Sequence, residues 1–88
     1  MIKKKIIVEN KLGLHARPCA MLVKTASKYR SDLLIKKDNI EVNGKSIMGV
    51  MMLAAEYKSE LELIANGVDE EFMVDEISEL FKSKFNEE

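Results

Sequence analysis

Apolar and polar positions alternate along the first residues of the chain, with Ile2, Ile6 and Val8 on one side and Lys4 as a single polar intrusion. That is the period of a strand with one buried face, and Asn10-Lys11-Leu12-Gly13 ends it. From Ala16 the period lengthens. Cys19, Leu22, Val23 and Ala26 fall at helical spacing and form one apolar stripe. Pro18 suits the first turn of that helix, and the residue before a proline is pushed away from helical geometry, so the start is predicted close to Arg17-Pro18. Leu33 and Ile35, then Ile40 and Val42 after Lys37-Asp38-Asn39, predict two antiparallel strands joined by a tight turn. Beyond Asn43-Gly44, Ser46 is an N-cap candidate for a short helix over Ile47 to Ala55, a stretch without alternation and rich in Met, Leu and Ala. Leu61, Leu63 and Ala65 predict a fourth strand closed by Asn66-Gly67. Asp69 is the N-cap candidate of a last helix, with Glu70 and Glu71 at its positive dipole end and Lys82 and Lys84 at its negative one. Val74, Ile77, Phe81 and Phe85 line its apolar face, and Asn86-Glu87-Glu88 is expected to fray.

The predicted order is βαββαβα. Its strands follow too closely for a doubly wound parallel sheet, which leaves an α+β fold with a mostly antiparallel sheet covered on one face by helices. Length agrees: 88 residues suffice for a single domain, residues 1–88, around one core. An apolar fraction of 47% can build that core, and 33% charged residues keep its surface wet.

Fourteen basic residues face 15 acidic ones for a net charge of -1, without the basic surplus a nucleic-acid binder needs. Lys3-Lys4-Lys5 reads as a solvated strand edge. One Cys and one His make neither a disulfide framework nor a zinc site, so no metal or cofactor is expected. No apolar run approaches a membrane span and no signal peptide opens the chain, so a cytoplasmic protein without membrane insertion is expected.

The one imidazole lies in Gly13-Leu14-His15-Ala16-Arg17-Pro18, between a strand and a helix start. A lone histidine is more often a packing or capping residue. Here, however, helix N-terminal amides favour an anion, Arg17 offers a guanidinium fork for phosphate oxygens, and the dipole favours a neutral, nucleophilic ring.

Those residues, with Lys24-Thr25-Ala26-Ser27-Lys28-Tyr29 and Asn43-Gly44-Lys45-Ser46-Ile47-Met48-Gly49-Val50-Met51 at the matching separation, resemble the HPr family. Its members are the histidine-containing phosphocarriers of the bacterial phosphoenolpyruvate:sugar phosphotransferase system. The resemblance covers the whole chain and implies an open-faced β-sandwich, four antiparallel strands under three helices. It implies that His15 accepts a phosphoryl group on Nδ1 from phospho-Enzyme I, that Arg17 stabilises it, and that EIIA domains of sugar transporters remove it. It also implies that Ser46 is a regulatory phosphorylation site, with an HPr kinase/phosphorylase and a catabolite-control repressor as further partners. Such a protein is a carrier and not a stand-alone enzyme, and it is expected to be a monomer.

The stretch Ile47 to Ala55 is apolar nearly all round, so some of it faces water: Met48 and Met51 are the docking candidates, which the resemblance supports, with Ala20 and Lys24 beside them and Lys28 as a further rim charge. Flexible thioethers suit a surface shared by unlike partners. Two other readings stand beside the carrier. One is a regulatory or nitrogen-branch paralogue acting mainly by binding. The other is a thiol enzyme with a Cys19-His15 dyad, which Cys19's place on the apolar stripe disfavours. Cys19 stands where alanine is common in the family, and Lys58 where many relatives have a turn glycine.

Overall fold

A computed structural model describes residues 1–87 and has the expected order: β1 (Ile2–Ile7), α1 (Ala16–Ala26), β2 (Asp32–Lys37), β3 (Ile40–Asn43), α2 (Ile47–Met52), β4 (Glu60–Asn66) and α3 (Glu70–Lys82). A 3₁₀ turn over Lys84–Asn86 follows. The four strands form one antiparallel sheet in the order β1-β4-β2-β3. The register sets Lys4 beside Leu63, Leu63 beside Ile35 and Ile35 beside Val42, so one row of alternate residues points to the helices. Of these, Leu33, Ile35, Leu61, Leu63 and Ala65 are buried, and they meet Cys19, Leu22 and Ala26 of α1 and Met73, Val74, Ile77 and Phe81 of α3 in a single cluster. α3 lies against β1 and β4, α2 against β3, and α1 between the two other helices. The opposite face of the sheet is open, and Lys5, Glu62, Lys36 and Glu41 cross it as a row of alternating charge.

The Lys4 intrusion has a local cause. Its stem follows the helix-facing row while its ammonium donates to the Ser78 hydroxyl of α3 at 2.8 Å, which satisfies two polar groups at the margin of the core.

One helix start is as expected, and three other expectations require correction. α1 begins at Ala16, with His15 as N-cap, close to Arg17-Pro18 as expected, and Arg17 is already helical although it precedes Pro18. Proline in the first turn gives up an N–H that has no partner there, and the preference against helix before proline yields to burial of Pro18 and Cys19. α2 ends at Met52, not Ala55. Ala54 turns left-handed at φ 47°, and the Lys37 ammonium donates to the carbonyls of Leu53 and Ala54, supplying the positive charge that the last turn of α2 lacks. Asn86 and Glu87 are folded and not frayed: Phe85 before them is fully buried and the Glu87 side chain is largely so, while Glu88 lies outside the described residues.

Asp69 occupies the N-cap position of α3 but does not cap it. Its carboxylate instead accepts from the Ser31 hydroxyl at 2.5 Å and from the backbone N–H groups of Arg30 and Ser31, both at 2.9 Å, tying the α1–β2 connection to α3. Glu70, the first residue of the helix, accepts from Gly67 N–H at 3.0 Å and so braces the turn that precedes α3. The Ser31 hydroxyl, then the two backbone donors, hold the Asp69 carboxyl at about 2, against the opposing effect of burial. A carboxyl lowered on folding stabilises the native state above its unfolded value of 3.8, and that contribution disappears as pH falls from there to about 2. Denaturant unfolding of Asp69→Asn is therefore expected to show a stability deficit at neutral pH that closes over this acid interval. A deficit of constant size down to pH 2 would contradict the assignment.

Candidate functional site

The segment leading from β1 to α1 is shaped by backbone bonds. Lys58 N–H donates to Val8 O at 2.8 Å and Leu14 N–H to Ala55 O at 2.8 Å, which dock the segment against the β4 approach. Between them Asn10 is fully buried, and its amide donates to Gly13 O at 2.6 Å. Gly13 has φ 71°, and a Cβ there would lie 2.7 Å from Ala55 O, so only glycine allows this close passage. Lys58 takes φ 72° without being glycine; the turn therefore keeps a glycine-like backbone, and the ammonium sits 5.4 Å from the Tyr57 ring centre.

His15 follows with extended backbone (φ −77°, ψ −173°) as the N-cap of α1. Its carbonyl accepts from Cys19 N–H at 3.1 Å, but its side chain makes no capping bond. The imidazole is thus free for other partners, and 38% of it is exposed. Arg17, two residues on and half exposed, donates through Nη1 to the Phe85 carbonyl at 3.1 Å.

The most informative feature lies at the other end of the sequence. Lys84, Phe85 and Asn86 all have positive φ, between 54° and 58°, and reverse the chain after α3. Phe85 drops into the core edge-on to Phe81, ring centres 5.0 Å apart, and so anchors the reversal. Glu87 is thereby brought onto His15, with Oε2 2.5 Å from His15 Nε2 and 3.3 Å from Arg17 Nη1, while Oε1 accepts from the Asn10 amide at 3.0 Å. The Asn10 amide lowers the carboxyl from its ordinary range against the effect of burial, and the His15 hydrogen bond and the charges of His15 and Arg17 add to it. An ionised carboxylate only accepts, so the proton of this contact belongs to Nε2.

Asn10 and Glu87 were not among the candidates from sequence. Asn10 reads as an ordinary turn residue and Glu87 as part of a polar tail. The available signal is Phe85, a large apolar residue near the end that has to be buried somewhere.

Cys19 is fully buried, donates its thiol to Leu14 O at 3.3 Å, and is held above its ordinary pKa by burial. A thiol kept protonated in the core is no nucleophile, which removes the physical basis for the dyad.

Ser46 caps α2, its Oγ accepting from Gly49 N–H at 3.1 Å. Ala20 and Lys24 share the exposed side of α1, and Met48 and Met51 are exposed on the adjacent α2. Met52, 71% exposed, and Ile47 extend the apolar area beyond the two methionines picked from sequence. Among the described residues no helix is long and apolar enough to cross a membrane.

Comparison with known proteins places this geometry. The HPr phosphocarrier of Treponema pallidum is 48% identical over 88 residues, the full length of both chains. The crystal structure of HPr-C-His from Thermoanaerobacter tengcongensis superposes with a TM-score of 0.96 at 46% identity, covering 100% of this chain and 99% of that one. A structure of an HPr dimer from the same organism aligns with a TM-score of 0.78 at 46% identity over 97% and 98% of the two chains. The family model described as "PTS HPr component phosphorylation site" matches residues 2–83, a span holding the Gly13 passage, the His15 N-cap and the Ser46 cap. The chain belongs to the HPr family, the phosphocarrier proteins of the phosphotransferase system.

Proposed function

We propose that this chain is a phosphoryl carrier that receives phosphate on Nδ1 of His15 from phospho-Enzyme I and delivers it to EIIA domains of sugar transporters. The observation that carries the reading is a partly exposed imidazole, free of capping duty, at the start of a helix with the Arg17 guanidinium beside it. A loose phosphoryl transition state needs positioning and positive charge more than it needs a deep pocket. Arg17 commits Nη1 to Phe85 and Glu87 and keeps its remaining donors for phosphoryl oxygens. Ala20 and Lys24 of α1 and Met48 and Met51 of α2 form the docking surface in this reading, supported by their exposure on adjacent helices. Incubation with phosphoenolpyruvate and Enzyme I tests it: the expected product carries one acid-labile, base-stable phosphate, and absence of any such label would overturn the proposal.

Ser46 is the regulatory site in this reading, the target of an HPr kinase/phosphorylase. An added negative charge at the cap finds the Gly49 N–H as a donor but sits one turn or less from Met48. Ser46→Asp is expected to melt no lower than the parent and to bind Enzyme I weaker by roughly three- to tenfold, a deficit that shrinks as salt screens the charge. Normal affinity, measured by calorimetry at two salt concentrations, would make Ser46 a cap and nothing more.

A further inference from the structure

We infer that Glu87, held by Asn10, is a positioning residue for the His15 nucleophile. The inference rests on the carrier reading above and concerns how the ring is prepared for attack. A neutral imidazole has one protonated and one bare nitrogen, and only the bare one can attack phosphorus. Glu87 Oε2 lies 2.5 Å from Nε2, and its carboxylate is a pure acceptor. The ring proton is therefore held on Nε2, and Nδ1 presents its lone pair.

The carboxylate is itself fixed from three directions. Asn10, wholly buried, donates to Oε1, Arg17 donates to Oε2, and the buried Phe85 ring pins the turn that delivers it. Asn10 is in turn fastened to Gly13 O, two residues from the histidine. Amide, carboxylate and imidazole thus form one hydrogen-bonded chain that restricts rotation of the ring, in the manner by which a second group orients a catalytic histidine.

The same carboxylate acts on the transition state. As the Nδ1 lone pair forms the bond to phosphorus, the bond from phosphorus to its donor breaks and that electron pair leaves with the donor. No proton has to move. The ring keeps its Nε2 proton and gains positive charge, and that charge develops against the Glu87 oxygen. Glu87 therefore favours the charge-developing state over the resting one.

Single-turnover transfer from phosphorylated Enzyme I, measured for the parent, Glu87→Gln and Glu87→Ala, tests this together with Enzyme I affinity. Both variants are expected to bind Enzyme I as the parent does, with the maximal transfer rate reduced about tenfold or more. Unchanged rates overturn the inference. Faster transfer overturns it too, because the carboxylate would then be a competitor for Arg17. Long-range ¹H–¹⁵N spectra of the neutral ring in the parent give an independent reading that requires no variant: the proton is expected on Nε2, and a ring protonated on Nδ1 overturns the inference. A parent that accepts no phosphate at all defeats the carrier reading itself, whereas a parent that transfers normally alongside equally fast variants defeats only the role given to Glu87.

Discussion

A His15→Ala chain incubated with phosphoenolpyruvate and Enzyme I is expected to take up no phosphate, a complete loss and not a reduction. The chain has one imidazole, and Cys19, the other soft nucleophile, is buried with its thiol bonded to Leu14 O. Removing the ring also leaves the fold intact, because His15 contributes its backbone and not its side chain to the cap of α1. Arg17→Ala should be slower than the parent by about a hundredfold, the usual scale for one lost donor to developing charge. Its modest cost in stability comes from the bonds to Phe85 O and Glu87 Oε2. Phosphate retained by His15→Ala, or Arg17→Ala transferring at the parent rate in a single turnover, would remove the basis of the proposed mechanism.

Phe85→Ala is expected to destabilise the protein by about 3–5 kcal/mol, the range for deleting a buried aromatic ring from a core. Phe85 is fully buried and pairs edge-on with Phe81, so the loss includes an aromatic contact as well as a cavity. Against a total stability of about 5–15 kcal/mol for a domain of this kind, a shift of that size is readily measured in denaturant. The substitution has a second effect that a core residue elsewhere would not have. It frees the left-handed turn and with it Glu87, so phosphoryl transfer should slow at temperatures where the variant is still folded. A loss below about 1 kcal/mol would mean that the turn is held by something other than the ring.

Most of the architecture was legible because periodicity and burial agree. Cys19, Leu22 and Ala26 of the helical stripe and Leu61, Leu63 and Ala65 of the alternating strand are all buried in one core, with Val23 packed at its edge. What escaped has a common cause, the use of ordinary residues for special backbone. Ala54 and Phe85 take left-handed φ without being glycine or asparagine, and nothing in their identity marks a stop or a reversal. Phe85 falls four residues after Phe81 and so continues the helical pattern past the true end of α3 at Lys82. Asp69 is the residue type that caps helices, yet a serine far away in sequence claims its carboxylate. His15 and Arg17 were legible from local pattern alone, whereas Asn10 and Glu87 join the site through contacts that no local pattern contains.

The strand order β1-β4-β2-β3 also has a consequence for how the molecule comes together. β2 and β3 can pair at once through their two-residue turn, but β1 and β2 do not pair with each other and both wait for β4, which inserts between them. Closing that sheet requires the first strand to find a partner near the other end of the chain, and such non-local pairing slows folding for a protein of this size. During the delay β1 is an unpaired strand with both edges open. Lys3, Lys4 and Lys5 then act in the unfolded chain, where three adjacent positive charges keep one unpaired β1 from zipping onto another.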